Sequence, residues 1–176
     1  MHRVCVIGNA GSGKSYVARE LARRLGLRYI DFDSAVLRPN WERVPRTERL
    51  ELFDALTAAG GWTIDGHLRA DRPAEQLILS RADTVIWLDF SRWRIMASVI
   101  PRTLRNTITR KPLWNGNVET WGMLLSRDHS VLVAWSMHVR LKRDYERLFS
   151  DQENASRTLI RFKNRREVNR WLATVG

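Results

Sequence analysis

The chain has 176 residues, is 44% apolar and 28% charged, and carries a formal charge of +11. Those values describe a single folded domain over residues 1–176, with a core of its own. They exclude a disordered or fibrous chain and leave no room for a second independent domain. No apolar run approaches the roughly 20 residues that a bilayer span requires, so no membrane partner is expected. An apolar strand opening at Arg3 and a lone cysteine, Cys5, predict a cytoplasmic chain without internal disulfides. The charge is uneven: residues 1–90 hold 13 basic and 12 acidic side chains, whereas residues 91–176 hold 17 and 7, a balance of +10. That half suits either an arginine-lined site for small polyanions or a nucleic-acid surface, and it leaves the oligomeric state open.

Arg3 to Ile7 reads as a short buried strand ended by Gly8. From Lys14 to Arg24 the period becomes helical, with Val17, Ala18, Leu21, Ala22 and Leu25 on one face and Gly26 as the stop. Leu27 to Asp31 is a second strand, and Phe32 to Arg46 has neither period. Thr47 is expected to cap a helix running to about Ala58, with Leu50, Phe53 and Leu56 inward. Trp62 to Asp65 is a third strand, Arg72 to Arg81 a helix, and Thr84 to Asp89 a strand apolar enough to be covered on both sides. A helix from Arg92 to about Thr107 contains Pro101, which predicts a kink or an early break. Thr109 to Val118 is an aperiodic excursion. A long helical region, Glu119 to Phe149, with an interruption expected near Asp128 to Ser130, then a strand, Thr158 to Arg161, and a helix, Arg165 to Ala173, complete the chain. Alternating strands and helices of this length indicate an α/β fold in three layers, a parallel five-stranded sheet covered by helices on both faces.

Between the first strand and first helix lies Gly8-Asn9-Ala10-Gly11-Ser12-Gly13-Lys14-Ser15, a full match to G-x-x-x-x-G-K-S in the context that gives this pattern its meaning. The spacing predicts a P-loop NTPase fold in which backbone amides cradle the phosphates of ATP, Lys14 meets the terminal phosphates from an exposed position, and Ser15 offers its hydroxyl to Mg²⁺. Acids close the neighbouring strands: Asp31 and Asp33, Asp65, and Asp89. In a parallel sheet they gather at the carboxyl edge beside Lys14. Asp33 is the expected orienter or base for an acceptor hydroxyl, and Asp65 the expected magnesium carboxylate, acting through water.

Ile30-Asp-Phe-Asp33, Trp41 with Pro45, Trp62-Thr-Ile-Asp-Gly66, the run from Ala82 to Phe90 with Arg92, and Arg102-Thr-Leu-Arg105 together resemble the small P-loop kinases. They are most similar to the adenylate-kinase-like DNA topology modulation proteins. The resemblance implies an acceptor-binding segment at about 32–59, a lid at about 107–118, and Arg102, Arg105 and Arg110 as phosphate-clamping arginines. It also implies adenine contact at the Arg161 to Arg166 junction between the last strand and the last helix, where Phe162 or Arg161 could lean over the ring. Within the acceptor segment Trp41 is a candidate for stacking, and Arg38, Arg43 and Arg46 favour a small anionic acceptor such as a nucleoside monophosphate; His67, beyond it after Asp65-Gly66, could bond the same acceptor. A nucleic-acid-associated ATPase is the rival, less favoured because no recognition motif accompanies the basic half.

Overall fold

The computed structural model describes residues 1–124, 130–152 and 156–176. Five parallel strands, β1 (Arg3–Gly8), β2 (Arg28–Asp31), β3 (Trp62–Asp65), β4 (Thr84–Leu88) and β5 (Thr158–Phe162), form one sheet in the order β2-β3-β1-β4-β5. Central β1 alternates its side chains between two cores. Val4 and Val6 face a cluster with Val17, Leu21, Ile86, Ile95, Phe162 and Leu172, while Cys5 and Ile7 face Phe32, Phe53, Ile64, Ile78, Trp87 and Tyr145. Period-two burial on both faces is why β1 and β4 read as unbroken apolar runs. Each such side chain contributes about 1.5–3 kcal/mol by leaving water.

The helices are α1 (Lys14–Leu25), α2 (Phe32–Val36), α3 (Arg46–Thr57), α4 (Arg72–Arg81), α5 (Arg92–Thr109), α6 (Trp121–Leu124), α7 (Ser130–Ser150) and α8 (Arg165–Ala173). The expected interruption at 128–130 falls largely outside the described residues. Three corrections to the sequence reading have physical causes. The segment after Asp31 is not wholly irregular: Asp31 accepts the Ser34 N–H at 3.1 Å and so caps α2, whose Phe32 stacks on Phe53 with ring centroids 4.5 Å apart. Thr47 is not a cap, because α3 already begins at Arg46 behind Pro45, and Leu50 is exposed while Phe53 carries the packing. Pro101 does not end α5. It and Ala97, whose carbonyl loses its donor, both lie on the exposed side where water can take the bond.

Candidate active site

Strand register places the chemistry. Asp31 pairs with Asp65 across β2 and β3, and Val6 with Asp65 across β1 and β3, so both acids stand at the carboxyl edge next to the loop that leaves β1. That loop ends at Gly13, whose φ of 90° is a left-handed conformation natural to glycine. No side chain caps α1 there. The first amides of α1 are therefore open to an anion. A Cβ on Gly13 would also lie 2.5 Å from Arg165 Nη1, and the Arg165 guanidinium rests 4.3 Å above the Tyr16 ring.

Lys14 is buried rather than exposed, and its Nζ donates to the Asn9 carbonyl at 3.0 Å. Burial pushes its ammonium below the ordinary lysine range, Asp65, Asp33 and Asp31 oppose that shift, and Arg102 adds to it. The Ser12 hydroxyl is buried with no hydrogen-bond partner among the described residues. An unpartnered hydroxyl, a desolvated ammonium and free helix amides in one loop are the donor set that a polyphosphate satisfies. Asn9 and Ala10 can contribute only backbone. The Asn9 side chain accepts the Ala10 N–H at 2.8 Å and donates to the Ala134 carbonyl at 2.8 Å, tying the loop to α7, while Ala10 packs in the core.

Ser15 and Asp65, the two residues that the sequence reading expects at magnesium, lie together, and the Ser15 hydroxyl donates to Asp65 Oδ2 at 2.6 Å. Tyr29, absent from that reading, donates its hydroxyl to Asp65 Oδ1 at 2.7 Å, and burial followed by the nearby Asp65 charge pushes the phenol far up. Its signal exists only once β2 and β3 are paired, because Tyr29 then shares a sheet face with Asp31 and Asp65.

Asp33 and His67 also come together. The His67 N–H donates to Asp33 Oδ1 at 3.2 Å and its Nδ1 lies 3.1 Å from Oδ2. Gly66 permits this approach: its φ is 139°, and a Cβ there would stand 2.6 Å from Phe32 Cβ and 3.2 Å from the Asp33 nitrogen. Burial raises the Asp33 carboxyl, but the His67 ring and N–H together with Lys14 outweigh it and hold the group below the ordinary carboxylate range. A depressed folded pKa stabilises the fold above the unfolded value and loses that contribution as pH falls through the folded one. His67→Ala should accordingly move the acid limb of the pH–rate profile upward, read from initial rates across pH.

Trp41 is anchored rather than free. Its N–H donates to Asn117 Oδ1 at 2.7 Å, its indole to the Val118 carbonyl at 3.4 Å, and its ring meets Trp114 edge-on at 6.4 Å. Asn117 also donates to the Arg38 carbonyl at 2.9 Å, Asn115 to the Ser34 carbonyl at 2.9 Å, and Trp114 Nε1 to Asp31 at 3.2 Å. The 112–118 segment thus clasps the 31–41 segment, and buried Asn117 holds Trp41 at a φ of 60°, a costly value for a bulky residue. Asn117→Ala should raise KM for the acceptor about tenfold, the size of one or two lost hydrogen bonds, with KM for ATP unchanged. Steady-state kinetics with each substrate varied in turn provides the check.

The arginines divide. All three lid-side residues Arg102, Arg105 and Arg110 are exposed, but Arg102 lies close enough to Lys14 to bear on its charge, and Arg110 forms the left-handed cap of α5, with a φ of 48°. Arg38 pairs outward with Glu48 at 3.0 Å, and Arg43 and Arg46 are exposed. Arg161 is clamped to Asp89 at 2.6 Å, and Phe162 is core packed on Trp171, so neither side chain is placed to cover a base. Asn164 does cap α8, accepting the Glu167 N–H at 3.0 Å.

No protein-family model matches the chain. A shikimate kinase from Halorhodospira halophila (strain DSM 244 / SL1) is 31% identical over 98 residues, which cover 49% of this chain and 55% of that protein. The chain thus spans about half the length of this curated relative. Among solved structures, shikimate kinase from Acinetobacter baumannii in complex with shikimate matches with a TM-score of 0.61 at 15% identity, over 98% of this chain and 89% of that one. Shikimate kinase from Bacteroides thetaiotaomicron gives 0.60 at 10% identity, over 98% and 94%. The enzyme from Aquifex aeolicus gives 0.52 at 17%, over 97% and 91%. The fold is that of a shikimate-kinase-like P-loop kinase. It supports the P-loop kinase part of the sequence resemblance and not its narrower assignment to the DNA topology modulation group.

Proposed function

We propose that the chain transfers the terminal phosphoryl group of ATP to a hydroxyl of a small anionic acceptor. The observation that carries the reading is the Asp33–His67 pair set beside the phosphate loop, with Asp33 and Lys14 near enough to shift each other's protonation. A loop that only hydrolyses a triphosphate has no need of a second, ionised carboxylate held by a histidine. Lys14, Ser12 and the α1 amides bind the phosphates, and Ser15 with Asp65 would hold magnesium, whose charge offsets that on the phosphate oxygens. Asp33 accepts the proton of the acceptor hydroxyl as its oxygen bonds to the γ-phosphorus and the bond to the leaving ADP oxygen breaks. Arg102 stabilises the transferred group, joined by Arg105 and Arg110 when the 107–118 lid closes. Trp41, Arg38, Arg46 and His67 border the acceptor. Such a reaction fits the cytoplasm, where ATP and magnesium are plentiful.

Hydroxylated carboxylates of the shikimate type are the first acceptors to try, because the relatives found act on or bind shikimate by name. Nucleoside monophosphates, the acceptor implied by the adenylate-kinase-like resemblance, come second. ATP, Mg²⁺ and separate pools of hydroxy acids, nucleoside monophosphates and neutral polyols should yield a product heavier by one phosphoryl group from one of the two anionic pools. A product from polyols alone overturns the anionic acceptor. ATP hydrolysis stimulated by DNA, with no product from any pool, favours the nucleic-acid reading instead.

A further inference from the structure

Asp65 sits where water scarcely reaches it, at 2% exposed, and hydroxyls from two different elements meet its carboxylate. Ser15, on α1, donates to Oδ2 at 2.6 Å, and Tyr29, on β2, donates to Oδ1 at 2.7 Å. The sheet register explains the second contact. Tyr29 pairs with Thr63, two residues before Asp65 on the same face of β3, and an aromatic side chain is long enough to meet a diagonal neighbour. Thr63 itself donates to the Ala18 carbonyl at 2.9 Å, which ties α1 to that face within a turn of Ser15. The Tyr29 ring is held in turn. It packs against the core cluster that contains Val17 and Leu21 of α1, and the Arg19 guanidinium lies 5.0 Å from its centroid.

The terminal torsion of an aspartate is soft, and a single hydrogen bond leaves the carboxylate free to swing about it. Donors on α1 and β2, one to each oxygen, fix its plane. A serine hydroxyl has one proton and two lone pairs. With that proton committed to Oδ2 of a fixed carboxylate, the lone pairs are what Ser15 has left to offer a cation. We propose that Tyr29 is a positioning residue for the magnesium site: by holding Oδ1 it fixes the Asp65 carboxylate, and through it the Ser15 hydroxyl, in the orientation that receives the metal. The inference rests on the reading that Ser15 and Asp65 serve magnesium. Packing does not call for the hydroxyl, because a phenylalanine would fill the same space between Arg19 and the core. Partners that orient metal-binding groups in this way typically change metal affinity far more than they change the fold.

Manganese, a paramagnetic stand-in for magnesium, is titrated into the full chain with saturating ADP, and free metal is read by electron paramagnetic resonance. Tyr29→Phe keeps the ring and loses the hydroxyl, and it should weaken metal binding about 10- to 100-fold. Its affinity for ADP without metal should equal that of the wild type. Asp65→Asn tests the underlying reading and should also lose metal. The double variant should lose no more than Asp65→Asn alone, because Tyr29 acts through the carboxylate. Wild-type manganese affinity in Tyr29→Phe, together with a loss in Asp65→Asn, overturns the positioning role and leaves the magnesium reading standing. Wild-type affinity in Asp65→Asn removes that reading, and the proposal with it. Losses that add in the double variant overturn the role too, since the hydroxyl would then act on the fold at large. A Tyr29→Phe protein that loses metal-free ADP as well has lost the loop itself, which counts against the proposal in the same way.

Discussion

Lys14→Ala is expected to fold as well as the wild type and to lose about 10³-fold or more in kcat/KM for ATP, the cost of removing a preorganised charge from a developing anion. The geometry supports both halves. Among the described residues Nζ makes a single hydrogen bond, to the Asn9 carbonyl, and burial disfavours its charged form, so the unliganded fold gains little from this ammonium. Its value appears only when phosphates arrive and the desolvated charge finds a partner. Thermal melting should show an unchanged or slightly raised midpoint, and calorimetry should show ATP affinity reduced by at least tenfold. A variant that binds ATP normally would mean that the amides and Ser12 suffice and that Lys14 acts elsewhere.

Asp33→Asn should lower kcat about 10²- to 10⁴-fold while leaving KM for ATP near its original value. The replacement keeps the shape and can still accept the His67 N–H, so the Gly66 approach survives. What disappears is the carboxylate charge that His67 and Lys14 hold ionised. The acid limb of the pH profile should vanish with it, since no group remains at that position to titrate. Retained turnover with the acid limb intact would transfer the proton-accepting role to another residue.

The phosphate loop and the sheet were legible because their signals are local: a fixed spacing of glycines, lysine and hydroxyl, and apolar runs bounded by turns. Asp65 and Ser15 were legible for the same reason, since each sits at a position set by one strand or one loop. The acceptor side was only half legible. Trp41 and Asn117 lie 76 residues apart and are joined by the Trp41 backbone N–H donating to the Asn117 side-chain oxygen, so no periodicity in either segment announces the clasp. Tyr29 becomes visible only when the pairing of β2 with β3 is known, and the protonation of buried Lys14 depends on three carboxylates that the fold brings near it. The basic residues near Trp41 are not gathered in the geometry without substrates. Their density along the chain suggested convergence on an anion, but Arg38 turns to Glu48 and the others face water.

The most direct test follows ATP carrying an isotopically labelled γ-phosphate through the wild-type protein, Lys14→Ala and Asp33→Asn, with Mg²⁺ and a pool of hydroxy acids and nucleoside monophosphates. Mass spectrometry then reads where the label goes. The account predicts label on one small acceptor in step with ADP release by the wild type, with almost none from either variant. Label found only in free phosphate, at equal rates in wild type and Asp33→Asn, would contradict phosphoryl transfer and leave a hydrolase.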